Sequence, residues 1–295
     1  MTRHAAPFQQ LRTLPVTVPG NGQRPTVIIQ PSRGLLRLDL AALWHYRELL
    51  YFLIWRDVKI RYKQTAIGVA WAILQPLLTM VLFAVVFGRF VGVSPEGAPY
   101  TVFTYAALLP WYYFAQAVTE SGRSLVGDAA LIRKVYFPRL VIPLAAALRP
   151  LVDFAFSFLV LIALLAWFGI RPSWPVLALP VFVALALLTA LATGLWLSAL
   201  NVRYRDVGHT IPFLTQLWLF ASPVAYPVSL VPDAWRFVYS LNPMVGVIEG
   251  FRWALLGQSG PLPSALAVNA ALVLVVLFTG LVYFRRTERT FADLV

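Results

Sequence analysis

The chain has 295 residues, of which 60% are apolar and only 12% charged. A soluble domain carries roughly 25% charged residues, so these values exclude an ordinary soluble enzyme and a disordered chain and point to an integral membrane protein. The net charge is +12, and the absence of cysteine excludes disulfides, thiolate metal sites and cysteine nucleophiles.

Residues 1–34 contain no apolar core, and Pro and Gly recur through them. They read as a flexible cytoplasmic arm, not a cleavable signal. From 35 to 63 the character changes: Leu43, Trp44, Leu49, Leu50, Phe52, Leu53 and Ile54 mix with Arg47, Arg56, Lys59, Arg61 and Lys63. This predicts an amphipathic helix lying in the membrane interface, with aromatics at headgroup depth and cations toward anionic lipid. The plainer alternative is a connector that only anchors the first span.

Charge-free stretches then locate the crossings, since a helix needs about 20 apolar residues to span a bilayer. Residues 64–88, 97–119, 172–202, 207–232 and 253–284 each qualify, two of them including breaker-rich loop at 171–175 and 258–263, and a sixth span at 141–168 is interrupted by Arg149 and Asp153. Residues 237–248 are also charge-free but too short to cross and contain Asn242-Pro243, a turn signal, so 234–256 read as one or two short re-entrant or interfacial helices beside the last span. The expected fold is therefore an all-α integral membrane protein. Its six transmembrane helices occupy 64–285, and 286–295 form a short tail.

Six crossings put both termini on one side. That side holds nineteen Lys and Arg; the other holds four, namely Arg89, Arg171, Arg236 and Arg252. The positive-inside rule places both termini in the cytoplasm. This sorting accounts for most of the positive charge without invoking nucleic acid.

The chain contains no G-x-x-x-x-G-K-[ST], H-E-x-x-H or G-x-S-x-G motif, and its three histidines, His4, His45 and His209, are scattered. No catalytic residue and no metal site is expected, and no cofactor in this chain. An energy source must come from a partner or an ion gradient. Arg149 and Asp153, four apart within a span, predict an intramembrane ion pair. A proton relay would need more carboxylates inside the spans, which disfavours a proton-coupled carrier.

Two further features carry expectations. The aromatics Trp71, Tyr105, Trp111, Tyr112, Phe213 and Trp218 belong either to an interfacial belt or to a conduit that offers flat faces to sugar rings. In the loop 121–139, Asp128 is placed to cap a brief helix that runs to about Val135 and stops at Pro138. Leu131, Ile132 and Tyr136 on that helix suit docking on another protein, with Arg133 and Lys134 at the rim.

The run Leu131-Ile-Arg-Lys-Val-Tyr-Phe-Pro-Arg139 resembles the signature of permease subunits of polysaccharide ABC exporters. Four further stretches match that family in order. They are Trp55-Arg56-Asp57-Val58-Lys59-Ile60-Arg61-Tyr62-Lys63 followed by Gly68 and Trp71-Ala72-Ile73-Leu74-Gln75-Pro76, then Leu200-Asn201-Val202-Arg203-Tyr204-Arg205-Asp206-Val207, Ser222-Pro223-Val224-Ala225-Tyr226-Pro227, and Leu241-Asn242-Pro243-Met244. The resemblance spans about residues 40–285. It implies a type-2 ABC exporter fold in the bacterial inner membrane. Two permease copies would pair with two ATP-binding subunits that hold ATP and Mg, and the substrate would be an undecaprenyl-pyrophosphate-linked glycan of the O-antigen, capsule or teichoic acid type. It further implies a coupling helix over 122–138 seated on the ATPase and a glycan channel between the two permeases. Arg56, Lys59, Arg61 and Lys63 would attract the lipid pyrophosphate. The rival readings are an ABC permease for a drug or smaller lipid and an ion-coupled secondary carrier, for which inverted repeats would be needed. A membrane glycosyltransferase, which would need an acidic catalytic pair, is a third; neither such repeats nor such a pair is found.

Overall fold

The computed structural model describes residues 40–63, 68–95, 97–258, 260–261, 263–288 and 291. The expected arm at 1–34 lies outside the described residues. All regular structure among the described residues is helical. Two helices precede the first crossing, α1 (Leu40–His45) and α2 (Arg47–Lys63). On α2, Leu53 and Val58 face inward, whereas Tyr51, Phe52, Trp55 and Ile60 are exposed. Tyr51 stacks on Trp55 one turn away, and Lys59 lies over the same indole. An aromatic and cationic stripe therefore runs along the outer side of α2.

The first apolar span is α3 (Gly68–Phe83), which continues into a π-helical segment, Ala84–Phe90. The centre of the molecule is α4 (Tyr100–Gly127), followed after Asp128 by the short α5 (Ala129–Lys134). At ~1.5 Å rise per residue α4 is long enough to cross, yet it is surrounded by protein for most of its length and carries polar residues in its second half. It packs on α8 (Leu179–Arg203) through small residues: a Cβ at Gly194 would lie 2.5 Å from Ser121 Oγ.

The interrupted span forms as α6 (Val141–Leu148) and α7 (Leu151–Trp167), close to the expected 141–168. Pro150 lacks the N–H that would continue the ladder, and Val152 N–H instead donates to Arg149 O three residues back. Gly169 (φ 67°) ends α7 in a left-handed cap, with Ile170 N–H donating to Leu165 O. A 3₁₀ turn, Trp174–Ala178, leads into α8.

The expected fifth crossing, 207–232, is not one helix. α9 (Val207–Phe220) has 14 residues, about 21 Å, and ends before Ser222-Pro223, where proline disfavours helical backbone in the residue before it. α10 (Asp233–Ser240) and α11 (Pro243–Leu256) follow as two short helices, as the turn at Asn242-Pro243 predicts. Asn242 satisfies all four of its hydrogen-bonding positions. Its Oδ1 accepts from Met244 N–H at the start of α11 and from Trp218 Nε1 at 2.9 Å. Its Nδ2 donates to Ala221 O and Ser222 Oγ. Trp218 in turn packs edge-on to Phe114, midway along α4. The α10–α11 turn is thereby tied through Trp218 to the middle of α4.

The last helix, α12 (Pro263–Glu288), starts at the end of the breaker-rich stretch 258–263 and extends past the expected boundary at 285. Among the described residues, four segments are long and apolar enough to cross a membrane: Ala70–Phe90, Val141–Trp167, Trp174–Arg203 and Pro263–Glu288.

Candidate functional site

Charged residues concentrate where α2, the C-terminal part of α4, and the α6–α7 junction meet. A partly buried ion pair is favourable only if each charge meets an opposite one with good geometry, and here the pairs join into a chain of strictly alternating sign. Asp128 Oδ1 accepts from Arg56 Nη2 at 3.0 Å, and Arg56 Nε donates to Asp57 Oδ1 at 2.7 Å. Asp57 Oδ2 accepts from Arg149 Nη1 at 2.8 Å, and Arg149 Nε donates to Glu120 Oε2 at 2.7 Å. Glu120 Oε1 accepts from Arg61 Nη1 at 3.2 Å, and Arg61 Nη2 lies 3.0 Å from Asp153 Oδ2. Tyr62 donates its hydroxyl hydrogen to the other oxygen of Asp153.

This arrangement corrects the expectation that Arg149 and Asp153 pair with each other. Each finds partners on α2, and Arg149 also on α4. The proline break between them alters the helical register that would have set them face to face. On α2, the hydrogen bond to Asp57 and the nearby charge of Asp128 outweigh burial and hold the Arg56 pKa above its ordinary value. Burial, followed by the bond to Asp153, pushes the Tyr62 phenol up.

Beside this chain of charges lies a cavity of about 710 Å³. Its charged lining is balanced, three arginines (Arg56, Arg123, Arg149) against three carboxylates (Asp57, Glu120, Asp128). Gln75, Tyr112, Gln116 and Thr119 complete its polar wall. Such a mixture of donors and acceptors suits a hydroxyl-rich group more than a bare phosphate, whose charge the carboxylates oppose. The neighbouring base is locked separately. Arg123 Nε and Nη2 both donate to Gly208 O, Asn201 Nδ2 donates to Gly122 O, and Asn201 Oδ1 accepts from Gly208 N–H.

The four cations expected to attract a lipid pyrophosphate divide into two groups. Arg56 and Arg61 are members of the ion chain, whereas Lys59 and Lys63 are exposed, one turn apart, on the outer side of α2.

The brief helix expected after Asp128 forms as α5, with its end before Pro138, but three details differ. A single helix over 122–138 does not exist, since α4 and α5 break at Asp128. The Asp128 carboxylate makes no capping bond and goes to Arg56 instead. Ile132 is buried against Leu53, Leu125 and Phe137, so it faces its own chain. Arg133, Lys134 and Tyr136 are exposed, Leu131 is half-buried, and Val135, missed in the sequence, is exposed beside Tyr136. The backbone becomes extended at Val135, so helical facing no longer applies from there on.

The six aromatics do not share one surface. Tyr105 and Trp111 are buried in the core. Trp71 and Phe213 are exposed, while Tyr112 and Trp218 are half-buried, each bordering a cavity. Tyr112 shares a 2.6 Å hydrogen bond with Thr79 of α3. Arg252, counted from the sequence only among the four cations on the side away from the termini, is 3% exposed and inside the protein.

Comparison with known proteins agrees along most of the chain. A family model described as ABC-2 type transporter matches residues 48–256. An O-antigen export system permease protein RfbA of Myxococcus xanthus is 31% identical over 253 residues, covering 85% of this chain and 96% of that protein. A protein of the same name from Klebsiella pneumoniae is 28% identical over 84% of this chain and 95% of its own length. A polysialic acid transport protein KpsM of Escherichia coli is 24% identical over 79% of this chain and 91% of its own.

Proposed function

Because the chain belongs to the ABC-2 type transporter membrane family and is a multi-pass membrane protein, we propose that it is the permease subunit of a polysaccharide exporter. In this reading it moves a glycan carried on undecaprenyl pyrophosphate across the bacterial inner membrane. The observation that carries the proposal is the similarity, over nearly their whole length, to relatives named as O-antigen export permeases.

In this reading six passages cross the membrane, the α9–α11 region supplying the fifth through a helix and a re-entrant pair, and both termini are cytoplasmic. Two copies assemble with two ATP-binding subunits, in which ATP and Mg bind. Val135 and Tyr136, with Arg133 and Lys134 around them, form the docking surface on each copy. Lys59 and Lys63 draw the pyrophosphate to the outer side of α2, each contributing about 1 kcal/mol toward anionic headgroups. The balanced cavity beside α2 receives the first sugars. A glycan must slide without fixed register, and exposed Trp71 and Phe213 with half-exposed Tyr112 and Trp218 offer flat faces for that.

The test is co-expression with candidate ATP-binding subunits, followed by ATP-dependent translocation of lipid-linked glycan in vesicles. Co-elution of an ATPase and glycan movement are expected. Lack of both, or ATP-independent movement driven by an ion gradient, would overturn the proposal.

A further inference from the structure

The ion chain begins at the joint between α4 and the docking helix. Asp128 stands alone between α4 and α5, and its backbone carbonyl already accepts from Leu131 and Ile132 N–H. A carboxylate in this position ordinarily caps the following helix; here it reaches across to Arg56, 72 residues away in sequence. Arg56 is oriented for that reach by Asp57, which holds its Nε, while Asp57 is in turn tied to Arg149. Among the described residues, the Arg56–Asp128 bridge is the ion pair that joins α2 to the docking joint. Burial of Ile132 in one apolar cluster with Leu53 adds adhesion between the same two helices. Apolar contact tolerates sliding, whereas a hydrogen-bonded ion pair fixes direction.

We propose that Arg56 is a positioning residue that passes movement of the docking helix α5 to the interfacial helix α2 through its bridge to Asp128. This rests on the reading of the chain as an exporter permease whose α5 seats on an ATPase. A shift of α5 on the ATPase pulls Asp128, and Arg56 carries α2 with it. Because Arg56, Asp57 and Asp128 also line the balanced cavity, the same motion changes the width of the opening beside α2 through which a lipid-linked sugar would pass. The device requires no change in protonation, only that the bridge persist while the two helices move.

The experiment uses the full chain in complex with its ATP-binding partner, reconstituted in vesicles, and measures ATP hydrolysed and glycan moved. Asp128→Asn and Arg56→Gln are expected to lower the glycan moved per ATP hydrolysed about tenfold, within the usual range for loss of one coupling contact. Asp128→Glu and Arg56→Lys are expected to restore most of the export. A second measurement uses the cysteine-free background: spin labels at Tyr51→Cys and Ala130→Cys report the separation of α2 and α5. That separation should stay constant through the ATP cycle in the parent chain and change with ATP when Asp128→Asn is added. Unchanged export per ATP in Asp128→Asn, equal loss of hydrolysis and export, or label separations that vary with ATP in the parent would each overturn the strut. Absence of any ATPase in the parent complex would instead overturn the exporter reading on which it rests.

Discussion

Arg252 lies with its guanidinium carbon 3.4 Å from the centroid of the Phe103 ring and is fully enclosed between α11 and α4. Its Nε donates to Phe103 O at 3.3 Å and its Nη2 to Val224 O at 2.9 Å. One side chain thus joins α11, the first turns of α4 and the segment after α9. Replacement by Met keeps volume but leaves both carbonyls without this donor, at a cost of about 1–3 kcal/mol. Arg252→Met is therefore expected to lower the thermal unfolding midpoint in detergent, and an unchanged midpoint would contradict the assignment.

The docking end separates two residues that are neighbours in sequence pattern but not in space. Tyr136→Asp is expected to reduce co-purification of the ATP-binding partner while the isolated permease unfolds at its normal temperature, since Tyr136 is 70% exposed. Ile132→Asp buries a carboxylate among Leu53, Leu125 and Phe137 and should destabilise the permease itself by several kcal/mol. If Ile132→Asp preserved stability and only released the partner, Ile132 would belong to the docking surface after all.

Gly250 of α11 sits against the Phe182 ring of α8, with no room for a Cβ. Gly250→Ala should cost about 1–3 kcal/mol by overpacking. Adding Phe182→Leu should recover part of that loss in the same unfolding measurement; failure of the pair to couple would show that the two helices can separate freely.

The cations of α2 should sort by role. Lys59→Gln and Lys63→Gln are expected to lower glycan export with little effect on stability. Arg61→Gln removes the cation that joins Glu120 to Asp153, leaving Glu120 to Arg149 and Asp153 to Tyr62, and should destabilise by about 1–2 kcal/mol, less than a fully buried pair because these side chains retain some exposure. Paired export and unfolding measurements on each single variant check the division.

Cysteine labelling can test the aromatics, because no native thiol competes. Trp71→Cys and Phe213→Cys should react in the folded protein and be protected by a trapped glycan. Tyr105→Cys should stay unreactive until unfolding, given that Tyr105 is buried with its hydroxyl donating to Ser157 O. Reaction of the first two only with lipid-soluble reagents, and no protection by glycan, would place them in the lipid-facing belt.

Several features were legible in the chain alone. The interrupted span at 141–168, the short pair around Asn242-Pro243 and the brief helix after Asp128 all follow from local rules. Charge is expelled from apolar crossings, proline and glycine break or cap helices, and about 20 apolar residues span a bilayer. These rules act within one turn or one span, so they can be read without knowing what lies opposite.

The tertiary structure decided everything that depends on an opposing element. Arg149 and Asp153 are four apart and could face each other on an unbroken helix, yet Asp57, Glu120 and Arg61 take them as partners across α2 and α4. Ile132 and Tyr136 look alike in sequence, but only packing against Leu53 and Leu125 turns one of them inward. Arg252 reads as one of four cations on the side opposite the termini until carbonyls from two distant segments are brought to it. Sequence pattern records the cost of leaving a group in lipid or water; which distant partner removes that cost is set by how the helices pack.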